Sequence, residues 1–273
     1  MSDDPRGGEG SPVAAHPRSA PAATHARSAP VGPIRIVGIG MGPQHVTPEA
    51  AAALAASDYV IAARKSDADG LLAIRRAVVE PFGLAIVAVD DPPRDRDDPA
   101  DYPAAVAAWH AARVAAYASV LRARGGSAAF LVWGDPSLYD SSIRIVAALA
   151  AELGVDFEVI PGISAPQLLA ARHRIVLHPV GAPVHVTTGR RLPEALASGQ
   201  TNIVIMLLSR LPLDGLADWT IWWGANLGTP SEALVSGRVA DVVPAIEAAR
   251  AAAKEAAGWV MDLALLRAPE ASS

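Results

Sequence analysis

The chain contains no cysteine, and this absence excludes several kinds of chemistry at once. Disulfide bonds, a nucleophilic thiolate and zinc sites built on cysteine are all ruled out. Aromatic residues are few, at 5% of the 273 residues, and the formal net charge of -5 gives nucleic acid no overall electrostatic attraction. We therefore expect a small-molecule partner and a reducing, cytoplasmic location.

Long hydrophobic runs are missing as well, although 51% of the residues are hydrophobic. Every apolar run is broken by a charge or a glycine well before the ~20 residues that a membrane-spanning helix requires, so no membrane partner is expected. The short runs of Leu, Ile and Val predict a globular α/β protein. Residues 1–33 are rich in Pro, Gly, Ser and Ala, and we expect them to form a disordered N-terminal extension.

Residues 128–142, AAFLVWGDPSLYDSS, contain the most informative pattern. The apolar run up to Trp133 predicts a strand buried on both faces of a parallel sheet. Gly134 and Pro136 end that strand in a tight loop, and the Asp and Ser residues that follow offer caps for a helix. Ligands of open α/β sheets bind at such strand ends. An ordinary β-to-α turn has the same pattern, and this stretch alone favours the turn.

Two further loops follow predicted strands. The first, VGIGMG at residues 37–42, lacks the third glycine of a dinucleotide fingerprint because Pro43 stands there. The next strand ends in Arg64 and Lys65, which leaves open a site for the 2′-phosphate of NADP. The second loop is PGIS at residues 161–164, where Ser164 is predicted to cap a helix. Loops at successive strand ends lie close together in a doubly wound sheet.

A predicted helix at residues 103–124 carries Trp109, His110, Arg113 and Tyr117 on one broad face. This face would suit a pocket for an anionic aromatic ligand, with Arg113 pairing a carboxylate. Equally, the two aromatic rings would pack in the core while Arg113 extends past them to water.

The second half of the chain joins its strands by short links as well as helices, which predicts a mixed sheet. Its first part concentrates positive charge in an acidic chain, at Arg172, Arg174, Arg190 and Arg191. Arginine binds carboxylates in a bidentate manner, so these residues are candidates for an anionic substrate. A solvated linker is the simpler interpretation.

Five motifs in this order resemble the tetrapyrrole methylase family, whose members are S-adenosylmethionine (SAM)-dependent C-methyltransferases. The motifs are VGIGMG at 37–42, WGDPSLYDS at 133–141, PGISA at 161–165, IVIML at 203–207 and NLGTP at 226–230. Further segments resemble the branch that methylates precorrin-5 at C-1 and releases an acetyl group as acetate. They are WHAAR at 109–113, AARHRI at 170–175, TTGRRL at 187–192 and GWVMD at 258–262.

The resemblance implies an α/β fold with two domains, at 34–178 and 183–268, with the methyl-donor site in the cleft between them. It also implies a homodimer, a tetrapyrrole substrate and no metal. The residues implied for binding SAM are Met41, Trp133, Gly134, Asp135, Leu138, Ser164, Ala165, Met206 and Gly228. Those considered for acetate release are Asp135, His110 and Tyr139, and those for binding substrate are Arg113, Arg172, Arg174 and Arg190.

Two positions depart from the family pattern. Met41 stands where many relatives have Pro, and residues 207–210 follow Met206 in place of a short polar turn. Three other functions fit the sequence. A sister precorrin or uroporphyrinogen methyltransferase would share the donor motifs, an oxidoreductase would bind NADP through Arg64 and Lys65, and an interaction protein would bind the donor without transferring a methyl group.

Overall fold

The computed structural model describes residues 29–64, 70–93, 102–208 and 212–269. Residues 1–28 of the predicted extension, and Lys65, Ser209 and Arg210, lie outside the described residues. The strands are β1 (Val31–Gly38), β2 (Tyr59–Arg64), β3 (Ala85–Asp90), β4 (Gly126–Val132), β5 (Phe157–Ile160), β6 (His185–Thr188), β7 (Asn202–Met206), β8 (Thr220–Ala225), β9 (Ala233–Arg238) and β10 (Asp262–Arg267). The α-helices are α1 (Pro48–Ala55), α2 (Gly70–Val79), α3 (Tyr102–Arg124), α4 (Ser142–Leu153), α5 (Ala165–His173), α6 (Leu192–Ala197) and α7 (Val239–Ala257).

The first sheet is parallel, with the strand order β3-β2-β4-β1-β5. The connection from β1 to β2 crosses one face of the sheet through α1, and the connection from β4 to β5 crosses the opposite face, in the opposite direction, through α4. The neighbouring strands β1 and β4 therefore flank a topological switch point. Strand β4 is buried on both faces, as predicted. Ala128, Phe130 and Val132 pack in a core with α3 and α4, while Ala129 and Leu131 pack in a second core with α1 and α2.

The second sheet is mixed, as predicted, with the order β6-β7-β10-β8-β9. Only β6 and β7 are parallel. Helices α6 and α7 pack on one face, and α5 packs on the other. Met41, from the loop after β1, belongs to the same apolar cluster as Leu168 of α5 and Leu263 of β10. This cluster joins the two sheets, and the two α/β domains match the predicted fold class. The exact boundaries at 34–178 and 183–268 stay predictions.

The apolar runs at 203–208 and 259–266 each predict a strand, and one end of each strand differs in the structure. Strand β7 ends at Met206 rather than at Leu208, because Leu207 adopts a left-handed φ of 55° that breaks the extended backbone. Strand β10 begins at Asp262, after Trp259 and the two apolar residues that follow it. The apolar pattern alone could not show either change.

The segment Ala104–Arg124 of α3 is long and apolar enough to cross a membrane, by length and composition only. A search for uninterrupted apolar runs misses this segment, because His110 and Arg113 divide it. Within α3, Tyr117, Ala118 and Leu121 are buried against the first sheet. Core helices of globular domains pass the same test of length and composition, but only 22% of this segment is buried.

Candidate functional site

The ends of β1, β4 and β5 meet at three glycines whose backbones pack against one another. A Cβ on Gly38 would lie 2.6 Å from the backbone nitrogen of Gly162 and 2.9 Å from Cδ of Pro136. A Cβ on Gly162 would overlap the carbonyl oxygen of Gly134. Gly134 in turn exchanges backbone hydrogen bonds with Gly40, at 2.8 and 3.2 Å. Only glycine allows this approach, so the predicted proximity of the strand-end loops is confirmed.

Asp135 ties two of these loops together. Its Oδ2 accepts a hydrogen bond from the backbone N–H of Gly162 at 2.9 Å, and its Oδ1 accepts from the backbone N–H of Ser137 at 2.8 Å and from the Ser137 hydroxyl. Burial acts to raise the pKa of Asp135, but these hydrogen bonds outweigh it and lower the pKa below its ordinary value. An ionised carboxylate with both oxygens occupied is a weak proton acceptor. The structure thus favours a positioning role for Asp135 over the catalytic role considered from the sequence.

The loop after β5 leads directly into α5 through Ser164, which is buried. The backbone N–H and the hydroxyl of Ser164 both donate to Oε1 of Gln167, each at 2.8 Å. This contact fixes the first turn of α5, where Ala165 is the first residue. Ser164 is therefore the N-cap residue of α5, as predicted. Both of its hydrogen bonds go to the side chain of Gln167.

The NLGTP loop of the second domain packs on the glycine loop of the first. The side-chain amide of Gln44 donates to the carbonyl oxygen of Gly228 at 2.7 Å, and the N–H of Gly228 donates to Glu232 at 2.7 Å. Glu232 is paired with Arg172, whose Nε lies 2.9 and 3.2 Å from its two carboxylate oxygens. Arg172 therefore supports this loop through Glu232.

A cavity of about 1330 Å³ lies between these loops and the second sheet. The residues predicted to bind SAM that line it are Met41, Trp133, Gly134, Asp135, Leu138, Ser164, Ala165 and Met206. Gly228 lies behind this lining, although its neighbour Leu227 is part of it. All three residues considered for acetate release, Asp135, His110 and Tyr139, also line the cavity. Motifs far apart in the sequence thus share one hollow.

The four arginines predicted to bind substrate divide into two groups. Arg113 lines the cavity, whereas Arg172, Arg174 and Arg190 are outside its lining. Their positions do not suit a ligand in this cavity, because Arg172 is paired with Glu232, Arg174 ends α5 and Arg190 follows β6 on the surface. For these three, substrate binding stays a prediction that the lining of this cavity does not support.

The aromatic face of α3 lines the cavity, as one sequence interpretation expects, and also packs a ring in the core, as the other expects. The guanidinium of Arg113 lies 4.5 Å from the centre of the Trp109 ring, and its Nε lies 2.8 Å from Oδ1 of Asp91 without the alignment of a hydrogen bond. Tyr117 is buried and packs edge-on against Phe130. The charge of Arg113 is thus already balanced, and Trp109 and Tyr117 have packing roles.

His110 is half-buried in this cavity wall. Its ring centre lies 5.2 Å from that of Trp109. Trp109 is itself held by a 3.1 Å hydrogen bond from Nε1 to the carbonyl oxygen of Pro92. The wall therefore presents an imidazole on a rigid support.

Arg144 is a cavity residue that the sequence analysis missed. It lies in the first turn of α4, is exposed and lines the cavity, and no carboxylate among the described residues is within ion-pair distance of it. The nearby Asp140 uses its Oδ1 to accept a 2.6 Å hydrogen bond from the N–H of Ser142. The signal available in the sequence was the position of Arg144 shortly after the WGDPSLYDS loop.

The cavity floor fits a sulfonium cofactor. A Cβ on Gly134 would be in ordinary van der Waals contact with the Met41 sulfur at 3.7 Å and the Ala165 nitrogen at 3.9 Å, so these groups lie close around Gly134 without crowding it. The polarizable thioethers of Met41 and Met206 and the buried Ser164 line the same cavity. Within the ranges that the structure describes, no group of three His, Cys, Asp or Glu side chains is placed to hold a metal ion.

Comparisons with known proteins agree with the geometry. The model of the family "Tetrapyrrole (Corrin/Porphyrin) Methylases" matches residues 33–243. A precorrin-6A synthase (deacetylating) from Sinorhizobium sp is 41% identical over 247 residues, which are 86% of this chain and 94% of the relative. The crystal structure of a cobalamin-synthesis-related protein (CobF) from Corynebacterium diphtheriae has a TM-score of 0.75 and 36% identity, over 87% of this chain and 98% of that one.

A more distant structure shows the fold alone. Uroporphyrin-III C-methyl transferase from Thermus thermophilus, in complex with S-adenyl homocysteine, has a TM-score of 0.53 and 19% identity, over 86% of this chain and 92% of that one. The family predicted from five motifs is confirmed by these matches over most of the chain. The chain belongs to the tetrapyrrole (corrin/porphyrin) methylases.

Proposed function

We propose that this protein is a SAM-dependent C-methyltransferase that methylates precorrin-5 at C-1 and releases acetate to give precorrin-6A. The observation that carries this proposal is the 41% identity to a precorrin-6A synthase (deacetylating), over 86% of this chain and 94% of that relative. The branch-specific segments WHAAR and GWVMD contribute His110, Arg113 and Asp262 to the cavity lining.

In this proposal SAM supplies an electrophilic methyl group when it is bound. Met41, Gly134, Ala165 and Met206, which line the cavity, would hold it, and Trp133 and Leu138 beside them would exclude water. Methyl transfer to an electron-rich ring carbon needs an in-line approach and little covalent help. Positioning both partners can supply up to ~7–11 kcal/mol of the barrier, so the rigid packing of the strand-end loops is the main catalytic contribution.

Acetate release needs a base, because water must add to the acetyl carbonyl and lose a proton. His110 is the best candidate, since it lines the cavity and an imidazole nitrogen can accept a proton from water. Asp135 is unsuited because its pKa is lowered and its oxygens accept hydrogen bonds from Ser137 and Gly162. Tyr139 lines the mouth, where its hydroxyl lies 3.4 Å from the carbonyl oxygen of Val186.

The substrate carries acetate and propionate side chains, which favour a cation in the cavity. We assign this role to Arg144, since its guanidinium is exposed and without a carboxylate partner among the described residues. Arg113, already beside Asp91, stiffens the wall that carries His110.

Incubating the full chain with SAM and precorrin-5 tests the proposal. Mass spectrometry of the pigment should show one added methyl group and a lost acetyl group, and free acetate should appear in equal amount. Methylation without acetate would instead favour a sister methyltransferase, and SAM binding without any methylation would favour an interaction protein. Arg64, which the NADP-binding alternative requires, is paired with Asp90 and is not part of the cavity lining.

The family resemblance also implies a cytoplasmic homodimer. Sedimentation at several protein concentrations would test the dimer.

A further inference from the structure

Large apolar side chains that remain exposed are concentrated at the cavity. Nine occur among the described residues, and four of them line this one hollow. These four, which we call the apolar rim, are Tyr139, Val186, Leu207 and Met261. They come from the loop before α4, from β6, and from the ends of β7 and β10 that face each other. Exposed apolar residues gathered around one cavity mark a surface that a ligand covers.

Leu207 is the most exposed member of the rim, at 62%, and its backbone is strained. Its φ of 55° lies in the left-handed region, which glycine or asparagine adopts more easily than leucine. In the free protein, neither the strained backbone nor the exposed side chain of this leucine stabilises the fold. Strain of this kind gathers at ligand-binding sites, where the surrounding structure maintains it.

A buried polar network holds this turn in place. Nη2 of Arg250 donates to the carbonyl oxygen of Leu208 at 3.2 Å, and Nε of Arg250 donates to Oδ2 of Asp262 at 2.9 Å. Asp262 is buried and also accepts a 3.1 Å hydrogen bond from Nε1 of Trp223. These hydrogen bonds hold the backbone of the turn in place, while the Leu207 side chain stays exposed.

We propose that the apolar rim binds the flat face of the tetrapyrrole macrocycle and that Leu207 is its principal contact. This inference rests on the proposed function. A tetrapyrrole combines an apolar ring face with carboxylates at its edge, which matches an apolar rim with Arg144 in the same cavity. The cavity of about 1330 Å³ also exceeds the ~300–1,000 Å³ of a pocket for one drug-sized ligand.

The apolar rim lies nearer the cavity mouth than the residues assigned to SAM, so we assign it to the macrocycle. Met206 packs against the cluster that contains Met41 and Leu168, next to the floor assigned to the methyl donor. Leu207, one residue further, is mostly exposed. The larger ligand must extend outwards to the mouth, where the rim lies.

The variant Leu207→Gly separates this role from a structural one. Glycine relieves the strained φ, so thermal stability should stay equal or rise, while the KM for precorrin-5 should rise by about 10-fold from the lost apolar contact. Affinity for S-adenosylhomocysteine should remain within 2-fold of wild type, about the error of the measurement. Leu207→Met should have a KM for precorrin-5 close to that of the wild type, because it keeps an apolar side chain.

Val176→Gly is the matched control, since Val176 is 63% exposed and is outside the cavity lining. It should leave the KM unchanged. An unchanged KM in Leu207→Gly, or an equal loss of S-adenosylhomocysteine affinity, would overturn the inference. If the wild type methylates no tetrapyrrole, the proposed function fails first, and an absorbance titration with precorrin-5 still tests the rim, because equal affinity in wild type and Leu207→Gly refutes it.

Discussion

The carbonyl oxygen of Met41 occupies the space that a side chain on Gly228 would enter. Met41 belongs to the first domain and Gly228 to the second, so this contact closes the two lobes behind the cavity floor. Gly228 also has a φ of 79°, a conformation that glycine adopts without steric penalty. The hydrogen bond from Gln44 to the Gly228 carbonyl oxygen, at 2.7 Å, fixes the same approach.

Replacing Gly228 with alanine should therefore damage both stability and donor binding. The matched control is Gly154→Ala, where φ is 66° but a Cβ would meet nothing within 4 Å. Gly154→Ala should lower the free energy of unfolding by about 1–2 kcal/mol, from the left-handed backbone alone. Gly228→Ala must in addition displace Met41. We expect a clearly larger fall in melting temperature for Gly228→Ala, and weaker S-adenosylhomocysteine binding by calorimetry. Equal losses in the two variants would show that the contact with Met41 has no importance.

Asp135→Asn should change the acid sensitivity of the protein. The lowered pKa of Asp135 means that its carboxylate stabilises the fold above about pH 4, and that this contribution disappears as pH falls through the folded-state pKa. The variant should be less stable by about 1–2 kcal/mol at pH 7, because an amide cannot accept every hydrogen bond from Ser137 and Gly162. The difference from wild type should narrow below pH 4.

Urea unfolding followed by circular dichroism between pH 3 and pH 8, at about one-unit steps, checks this expectation. Asp241→Asn is the control, because Asp241 has a pKa lowered by its exposed partner Arg238 and lies far from the strand-end loops. A constant difference between Asp135→Asn and wild type across the whole range would contradict the assigned role of the Asp135 carboxylate.

Much of the fold was predictable because short-range patterns determine it. The apolar run of β4 predicts a strand buried on both faces, and Thr47 before Pro48 predicts the start of α1, where Thr47 Oγ1 accepts from the N–H of Ala50 at 3.1 Å. Charge pairing was not predictable in this way. The partner of Arg172, Glu232, is 60 residues away, so the position of Arg172 outside the cavity lining becomes visible only in three dimensions.

The cavity residues divide along the same line. The glycine loops have a sequence pattern, and the sequence placed them together correctly. Arg144 and Leu207 gave weaker signals, which are the position of Arg144 after the WGDPSLYDS loop and the departure from the family pattern after Met206. An arginine in the first turn of a helix is common, and a left-handed leucine is unexpected from local preference. Departures from local preference of this kind are what a functional site produces.

Substituting His110 with alanine should slow acetate release more than it weakens donor binding. Loss of a general base costs roughly 10²–10⁴-fold in rate, whereas S-adenosylhomocysteine should bind within about 2-fold of wild type. Because methyl transfer needs no base at this position, a methylated pigment that retains its acetyl group should accumulate. Single-turnover assays with mass spectrometry measure both steps. His178→Ala, at an exposed residue outside the cavity lining, is the control. Equal loss of donor affinity and turnover would remove His110 from the mechanism.

The charge of Arg144 should act on the substrate and leave the donor alone. Arg144→Gln removes the cation while keeping a polar side chain of similar reach, so the KM for precorrin-5 should rise by about 10-fold, as expected for one lost charge-assisted hydrogen bond. The KM of the wild type should also rise with ionic strength, and that of the variant should respond less, because salt screens the pair of Arg144 with a carboxylate.

Arg190→Gln is the matched control for this prediction. Arg190 is likewise exposed and has no ion-pair partner among the described residues, but it is outside the cavity lining. If net charge alone attracted the anionic substrate, the two variants would raise the KM equally, because each removes one positive charge. A larger effect at Arg144 requires a local contact, since the two variants have the same total charge and differ only in where the lost guanidinium stood.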